Sequence, residues 1–221
     1  MQRIVSYGTC CLCDERVSKA AAGRHAKKCA PNHDAPGATP ERVLALRVEG
    51  AYAPDYWLDV EIKAKARLED LDTFLRAIWL ECCGHLSAFR IGPMSYSVAP
   101  DRSWEDERSM NARISDVIRT PNAKFTYEYD FGSTTELKLR VVGERTGIIG
   151  RKPLRLLARN EPLVWPCRIC KKPATQVCIY CMCDEEPFFC DEHAGEHQCE
   201  EEGFLPVVNS PRMGVCAYTG S

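Results

Sequence analysis

Residues 125–142, FTYEYDFGSTTELKLRVV, decide the fold class. Phe125, Tyr127, Tyr129 and Phe131 alternate with Thr126, Glu128 and Asp130, and Leu137, Leu139 and Val141 alternate with Lys138 and Arg140. A period of two marks a strand with one buried face. Gly132 and a short polar run separate the two halves, so the stretch predicts a β-hairpin. Toward the N-terminus the same period recurs. Tyr56, Leu58, Val60, Ile62 and Ala64 alternate with Trp57, Asp59, Glu61 and Lys63, which predicts a half-buried strand, and VLALRVE (43–49) predicts its neighbour. Between strand and hairpin the period changes. Leu68, Leu71, Phe74, Leu75, Ile78 and Trp79 recur at helical spacing, with Glu69, Asp70 and Asp72 in the first turn, where the helix dipole favours acids. Gly84 can stop that helix, and His85–Ile91 returns as a strand. Residues 93–122 read as irregular, with one helical turn near Ile114–Ile118. The sum is an α+β fold, a mixed, mostly antiparallel sheet packed on a helix.

Composition bounds the function classes. Charged residues make up 27% and hydrophobic residues 45%, which fits a globular chain rather than a disordered one. No apolar run reaches the eighteen or so residues of a membrane span, and MQRIVSYGTCCLCDER lacks the apolar stretch of a secretory signal. The expectation is a cytoplasmic protein with no membrane partner. The outlier is fourteen cysteines. In a reducing compartment such a number points to metal ligation rather than disulfides. Four lie within residues 10–29, eight within 167–216, and only Cys82 and Cys83 in the middle. This distribution divides the chain into a cysteine module at 1–33, a linker at 34–41, a central domain at 42–160 and a second cysteine module at 161–221. Charge follows the same division. Residues 1–30 carry six Lys/Arg against two acids, residues 167–203 three against nine, and residues 42–160 nineteen against seventeen.

At the N-terminus, Cys10 and Cys13 form a CxxC knuckle. His25 and Cys29 stand four apart on a helix that Ser18 can cap, so both project from one face. Four such ligands suit tetrahedral Zn²⁺ in a C-C-H-C finger. Cys11 could replace Cys10, and His33 could replace His25, although His33 lies beyond Pro31. The finger helix also carries Lys19, Arg24, Lys27 and Lys28, which fits either nucleic-acid contact or a solvated face.

At the C-terminus the ligands come in four pairs: Cys167 and Cys170, Cys178 and Cys181, Cys190 and His193, His197 and Cys199. Pairs one and three would take one ion, and pairs two and four a second, as an interleaved cross-brace. The spacing resembles B-box, MYND and AN-one fingers. Cys183 could replace Cys181, and Cys216 is spare. Three Zn²⁺ ions are therefore expected, each held by three Cys and one His. With four protein ligands no position stays open for a reacting water, so the expected role is structural rather than catalytic.

Outside these clusters, Cys82, Cys83 and His85 invite a nucleophile reading, weighed against a thiol pair buried beneath the helix. Asp130 fits a catalytic acid or a turn cap. LEDLDTFLRAIWLECCGHLSAF (68–89) and FTYEYDFGSTTELKLRVV (125–142) resemble the plasmid pRiA ORF-three-like family, also labelled transposon-passenger resolvase-like proteins. The shared features are His85-Leu86-Ser87-Ala88-Phe89 after a helix and Tyr129-Asp130-Phe131-Gly132 at a strand end. The resemblance covers about residues 42–145. It implies an α+β fold with a sheet curled around a helix and no established activity. Where relatives tend to carry Asp-x-Trp after the glycine, this chain has Ser133-Thr134-Thr135.

Three functions follow, in order of preference. The first is a zinc-dependent adaptor for protein partners. The second is a nucleic-acid binder acting through the basic finger, linked to mobile elements. The third is an enzyme using His85, Cys83 or Asp130.

Overall fold

The computed structural model describes residues 6–101, 103–182, 186–199 and 203–220. The chain divides into two compact units: Met1–Leu75 with His85–Glu161, and Arg76–Gly84 with Pro162–Ser221.

The first unit is a ten-stranded sheet with helices on it. Along the chain it runs β1 (Tyr7–Cys10), β2 (Arg16–Ser18), α1 (Lys19–Cys29), a 3₁₀ turn (Ala30–His33), β3 (Glu41–Gly50), β4 (Trp57–Lys63) and α2 (Leu68–Leu75). It resumes with β5 (Ser87–Ile91), β6 (Met94–Ser97), β7 (Glu107–Ser109), α3 (Ile114–Val117), β8 (Lys124–Tyr129), β9 (Thr135–Gly147) and β10 (Leu154–Asn160). The sheet order is β2-β1-β10-β4-β3-β9-β8-β5-β6-β7. Each neighbouring pair is antiparallel except β6 and β7. The expected α+β class holds, with the β8–β9 hairpin setting Phe125 opposite Leu139 and Tyr127 opposite Leu137. At its turn Asp130 adopts a left-handed φ of 65°, and its carboxylate accepts the N–H groups of Gly132 and Ser133, the capping role expected of it.

Register places the helices on opposite faces. Leu58, Val48, Leu139 and Phe125 stand opposite one another across four strands, hence on one face. The adjacent Tyr127–Leu137 pair continues that face. Tyr127 and Ser87 donate hydroxyl hydrogen bonds to Asp72 of α2 at 2.7 and 2.6 Å, which puts α2 there. The other face takes α1, whose Ala22 packs with Val17, Trp57 and Ala158 and whose Ala26 packs with Ala30 and Leu157. Alanines spaced four apart let the helix sit close to the sheet.

β4 differs from its expectation. All seven residues are buried, because both faces are covered rather than one. The polar half of the alternation then needs partners. Asp59 takes a bidentate pair from Arg47 at 2.5 and 2.9 Å, and Arg47 also stacks on Trp57. Glu61 accepts from Arg145 at 2.6 Å and from Arg155 at 2.9 Å. The same arginines hold Asp34, and Arg155 also reaches the carbonyls of Ala30 and His33. The Arg145 guanidinium keeps the Asp34 carboxyl below its usual range despite partial burial. The segment 34–41 is therefore fixed at its first residue, and β1 pairs directly with β10. The N-terminal cysteine segment is an edge of the main sheet and belongs to the same compact unit.

The helix expected through Trp79 is α-helical only to Leu75. Arg76–Leu80 follow as a π-helical turn, with Trp79 and Leu80 buried. Residues 93–122, read as irregular, add the short strands β6 and β7. The second unit carries a three-stranded sheet from β11 (Gln176–Cys178), β12 (Phe188–Phe189) and β13 (Phe204–Pro206), in the order β12-β11-β13, with α4 (Asp191–Ala194). Ser210 ties its tail to the π-turn by donating to the Trp79 carbonyl at 2.6 Å. Among the described residues no helix is long and apolar enough to cross a membrane.

Glu61 is 3% exposed between two arginines. Glu61→Ala leaves both guanidinium groups without it and is expected to lower unfolding stability by about 3–5 kcal/mol, read by urea denaturation.

Candidate metal centres

Among the described residues three groups of four side chains each bring their ligand atoms within 4.8 Å of one another: Cys10, Cys13, His25 and Cys29; Cys167, Cys170, Cys190 and His193; and Cys178, Cys181, His197 and Cys199; in a fourth group, within the second unit, the thiols of Cys82, Cys83 and Cys216 do the same. The first three unite the twelve residues picked out by spacing, and the two C-terminal groups are interleaved as pairs one with three and two with four. The fourth was not expected.

The first group starts where β1 ends. Cys10 N–H donates to the Glu15 carbonyl at 2.9 Å and Asp14 N–H to the Cys10 carbonyl at 2.9 Å, with Asp14 left-handed at φ 60°. The second group repeats this knuckle. Cys167 N–H donates to Lys172, Lys171 N–H to Cys167, and Lys171 has φ 61°. One turn geometry thus presents both CxxC pairs. In the first group α1 supplies the other two ligands, and its N-terminus is capped by Ser18, whose hydroxyl accepts the Ala21 N–H at 3.3 Å. Cys11 turns toward the Thr9 carbonyl, and His33 Nδ1 lies 3.0 Å from the Cys29 carbonyl and 3.6 Å from Cys29 Sγ; the four-residue group contains neither Cys11 nor His33. Cys183 lies outside the described residues.

Distances test whether these groups fit a metal. A tetrahedral cation with metal–sulfur bonds of about 2.3 Å and metal–nitrogen bonds of about 2.1 Å has S···S edges of about 3.8 Å and S···N edges of about 3.6 Å. Cys10 and Cys29 Sγ are 3.9 Å apart, Cys170 and Cys190 3.8 Å, and Cys181 and Cys199 3.8 Å. Cys13 Sγ stands 3.4 Å from His25 Nε2, Cys167 Sγ 3.7 Å from His193 Nδ1, and Cys181 Sγ 3.5 Å from His197 Nε2. These spacings match tetrahedral edges and far exceed the roughly 2.05 Å of a disulfide. The first group also has an outer partner, since His25 turns Nδ1 toward Glu15 Oε2 at 3.5 Å while Nε2 faces the thiols. In the third group the His197 ring packs against Phe189 and Phe204.

The thiols are not electrostatically alike. Burial disfavours the Cys167 thiolate, but the backbone N–H groups of Cys170, Cys190 and Ile169 offset it and bring the thiol down to about 6. Burial and neighbouring thiols push Cys29 and Cys181 up to about 12. A metal bound there displaces those protons.

The fourth group corrects two expectations. Cys82 and Cys83 are not a pair buried beneath the helix: Cys82 is half-buried and Cys83 exposed, because the chain leaves the π-turn before them. Cys216, read as spare, lies 3.8 Å from Cys83. No spacing rule connects positions 133 residues apart. His85 Nε2 lies 3.6 Å from Asp130 Oδ2, so the structure does bring those two together.

Residues 43–153 match the family model for plasmid pRiA4b ORF-3-like proteins. The chain belongs to that family. No curated protein matches it. A solved structure similar to it is a protein of unknown function from Methanosarcina mazei Go1, with 20% identity over 54% of this chain and 69% of that one and a TM-score of 0.45. The family match ends at residue 153, before every C-terminal ligand pair.

Chelation should act unevenly. In the second unit the strands are two or three residues long and Phe189 packs directly among Cys178, Cys181, Ala194, Cys199 and Phe204, whereas β3, β4, β8 and β9 are held by a continuous buried face. Hydrogen exchange after metal removal is expected to show lost protection at residues 165–206 and retained protection in β3, β4, β8 and β9.

Proposed function

We propose that the first three groups hold structural Zn²⁺ and that the chain is a cytoplasmic adaptor for protein partners. Three thiolates and one imidazole suit Zn²⁺, and tetrahedral spacing with four protein ligands leaves no position for a reacting water. Zinc in small modules contributes about 10–16 kcal/mol to folding, which suits a unit whose strands are two or three residues long.

One observation carries the adaptor reading. The zinc-rich unit exposes Val164, Ile169, Tyr180 and Met182 within a segment rich in acids. Exposed apolar side chains in an acidic stretch of sequence fit a partner segment with apolar anchors and basic flanks. Cys13→Ser and Cys178→Ser are each expected to lower zinc by one ion per chain in elemental analysis; unchanged zinc would count against the metal assignment. Ile169→Glu with Tyr180→Glu should retain zinc yet lose the partners captured by the unaltered chain from cell extract. Partners that persist would refute this surface.

A second reading has its own observation. Lys124 and Arg140 stand directly opposite each other across β8 and β9 and line an open groove of about 720 Å³ with Arg90 and Lys138. Like charges opposed across strands cost stability unless an anion answers them. Arg24, Lys27 and Lys28 are also exposed on α1. Nucleic-acid binding would appear as a mobility shift at low salt that weakens in Lys124→Ala/Arg140→Ala or Lys27→Ala/Lys28→Ala. No shift at low salt would exclude it.

A further inference from the structure

We propose that the cavity between α1 and the sheet of the first unit binds a short aliphatic carboxylic acid, with its chain between helix and strands and its carboxylate on Lys27. The site goes beyond the zinc reading and uses none of the metal ligands.

The cavity measures about 390 Å³ and is walled by residues of the first unit alone. Small-molecule sites span roughly 300–1,000 Å³. Gly23, Ala26 and Lys27 of α1 form one wall, since positions three and four apart share a side of a helix. Val43 and Ala45 of β3, with Gly143 of β9 opposite Ala45, form the facing wall. The two glycines keep the space open. A methyl group added at Gly23 would meet nothing within 4 Å. One added at Gly143 would meet Lys27 Cε at 3.5 Å and Ala45 Cβ at 3.8 Å, both ordinary contacts. Neither glycine has the left-handed φ that disfavours other residues. Glycine weakens helix and strand interiors alike. Two glycines that neither the backbone nor a close neighbour requires therefore mark room left for an occupant.

The lining selects the occupant's chemistry. Its apolar members are alanine, valine, leucine and proline, and none of the described lining residues is aromatic. That favours an aliphatic chain over a ring, which gains most from an aromatic neighbour. Asp59 and Glu61 also line the cavity, and both are already buried, so they have little hydration left to lose. With Asp34 they set three carboxylates against the guanidinium groups of Arg47, Arg145 and Arg155, a charge-balanced set. Glu144 is held by Arg42 at 2.7 and 2.8 Å. Lys27 is the charge that remains. It is exposed, and among the described residues it has no ion pair. A single negative charge at the end of an aliphatic chain answers it, and charge complementarity then fixes which end of the chain faces outward.

The test is equilibrium dialysis of the full-length chain against octanoate, with octylammonium as the probe of reversed charge. The unaltered chain should bind one octanoate and hold octylammonium at least about tenfold more weakly. Gly23→Leu should fill the cavity and abolish octanoate binding. Leucine is the better helix former, so the melting temperature of this variant should be no lower than that of the unaltered chain. Lys27→Glu changes an exposed position, should keep the fold, and should weaken octanoate by about tenfold or more. No octanoate bound by the unaltered chain at millimolar concentration would overturn the proposal. Binding that persists in Gly23→Leu would place octanoate elsewhere and overturn this cavity as the site. A lower melting temperature in that variant would show that the space is not open and overturn it too. Equal binding of the two probes, or binding unchanged in Lys27→Glu, would overturn the assignment of an acid.

Discussion

A carboxylate buried in a sheet needs a cation beside it, and Glu61 sets that condition at the centre of this protein. It sits on β4, where the covering of both faces excludes water. Arg145 from β9 and Arg155 from β10 approach it from opposite sides of the strand and extend to Asp34. Arg155 goes on to the carbonyls at the end of the finger helix. One buried charge thus couples the central strand, its neighbour β10, the strand β9 that lies beyond β3, and the N-terminal cysteine segment. Arg47 and Asp59 repeat the device one pleat away, and Arg47 reaches the Lys19 carbonyl at the start of α1. A segment that would be marginal as a thirty-residue peptide is held by the sheet.

The cysteine groups divide along the same line. The first lies on the edge of a large sheet, and its helix is packed on a preformed surface. The second and third lie in a unit whose strands are two or three residues long. The Cys167 turn there repeats the backbone geometry of the Cys10 turn in the first unit. Four ligand atoms at tetrahedral spacing with no metal between them would leave thiols crowded against one another. Burial first, and the neighbouring thiols after it, push the Cys29 and Cys181 thiols up. The family match stops at residue 153, so the C-terminal Cys and His pairs lie outside it.

Much of this was legible in the sequence, for identifiable reasons. The β8–β9 hairpin, the strands β3 and β4 and the start of α2 follow from side-chain periodicity, which is local. The twelve ligands follow from CxxC, CxxH and i, i+4 spacings, which are local too. His25 was preferred over His33 because a helix places it on the face of Cys29, and the structure groups it there. Nothing local marked β1 or β10 as strands. They are short or mixed in pattern, and they exist because each completes a ladder with a partner far along the chain.

The sequence by itself determined the α+β class, the hairpin with its Asp130 cap, the finger helix and the pairing of ligands into groups, because each depends on residues within a few turns of one another. Only the tertiary structure decided that β4 is buried on both faces and that the finger is an edge of the main sheet. It also decided that Cys216 meets Cys82 and Cys83. Each of those depends on segments far apart in the chain, 94 residues between Glu61 and Arg155 and 133 between Cys83 and Cys216, and no spacing in the chain encodes such a meeting.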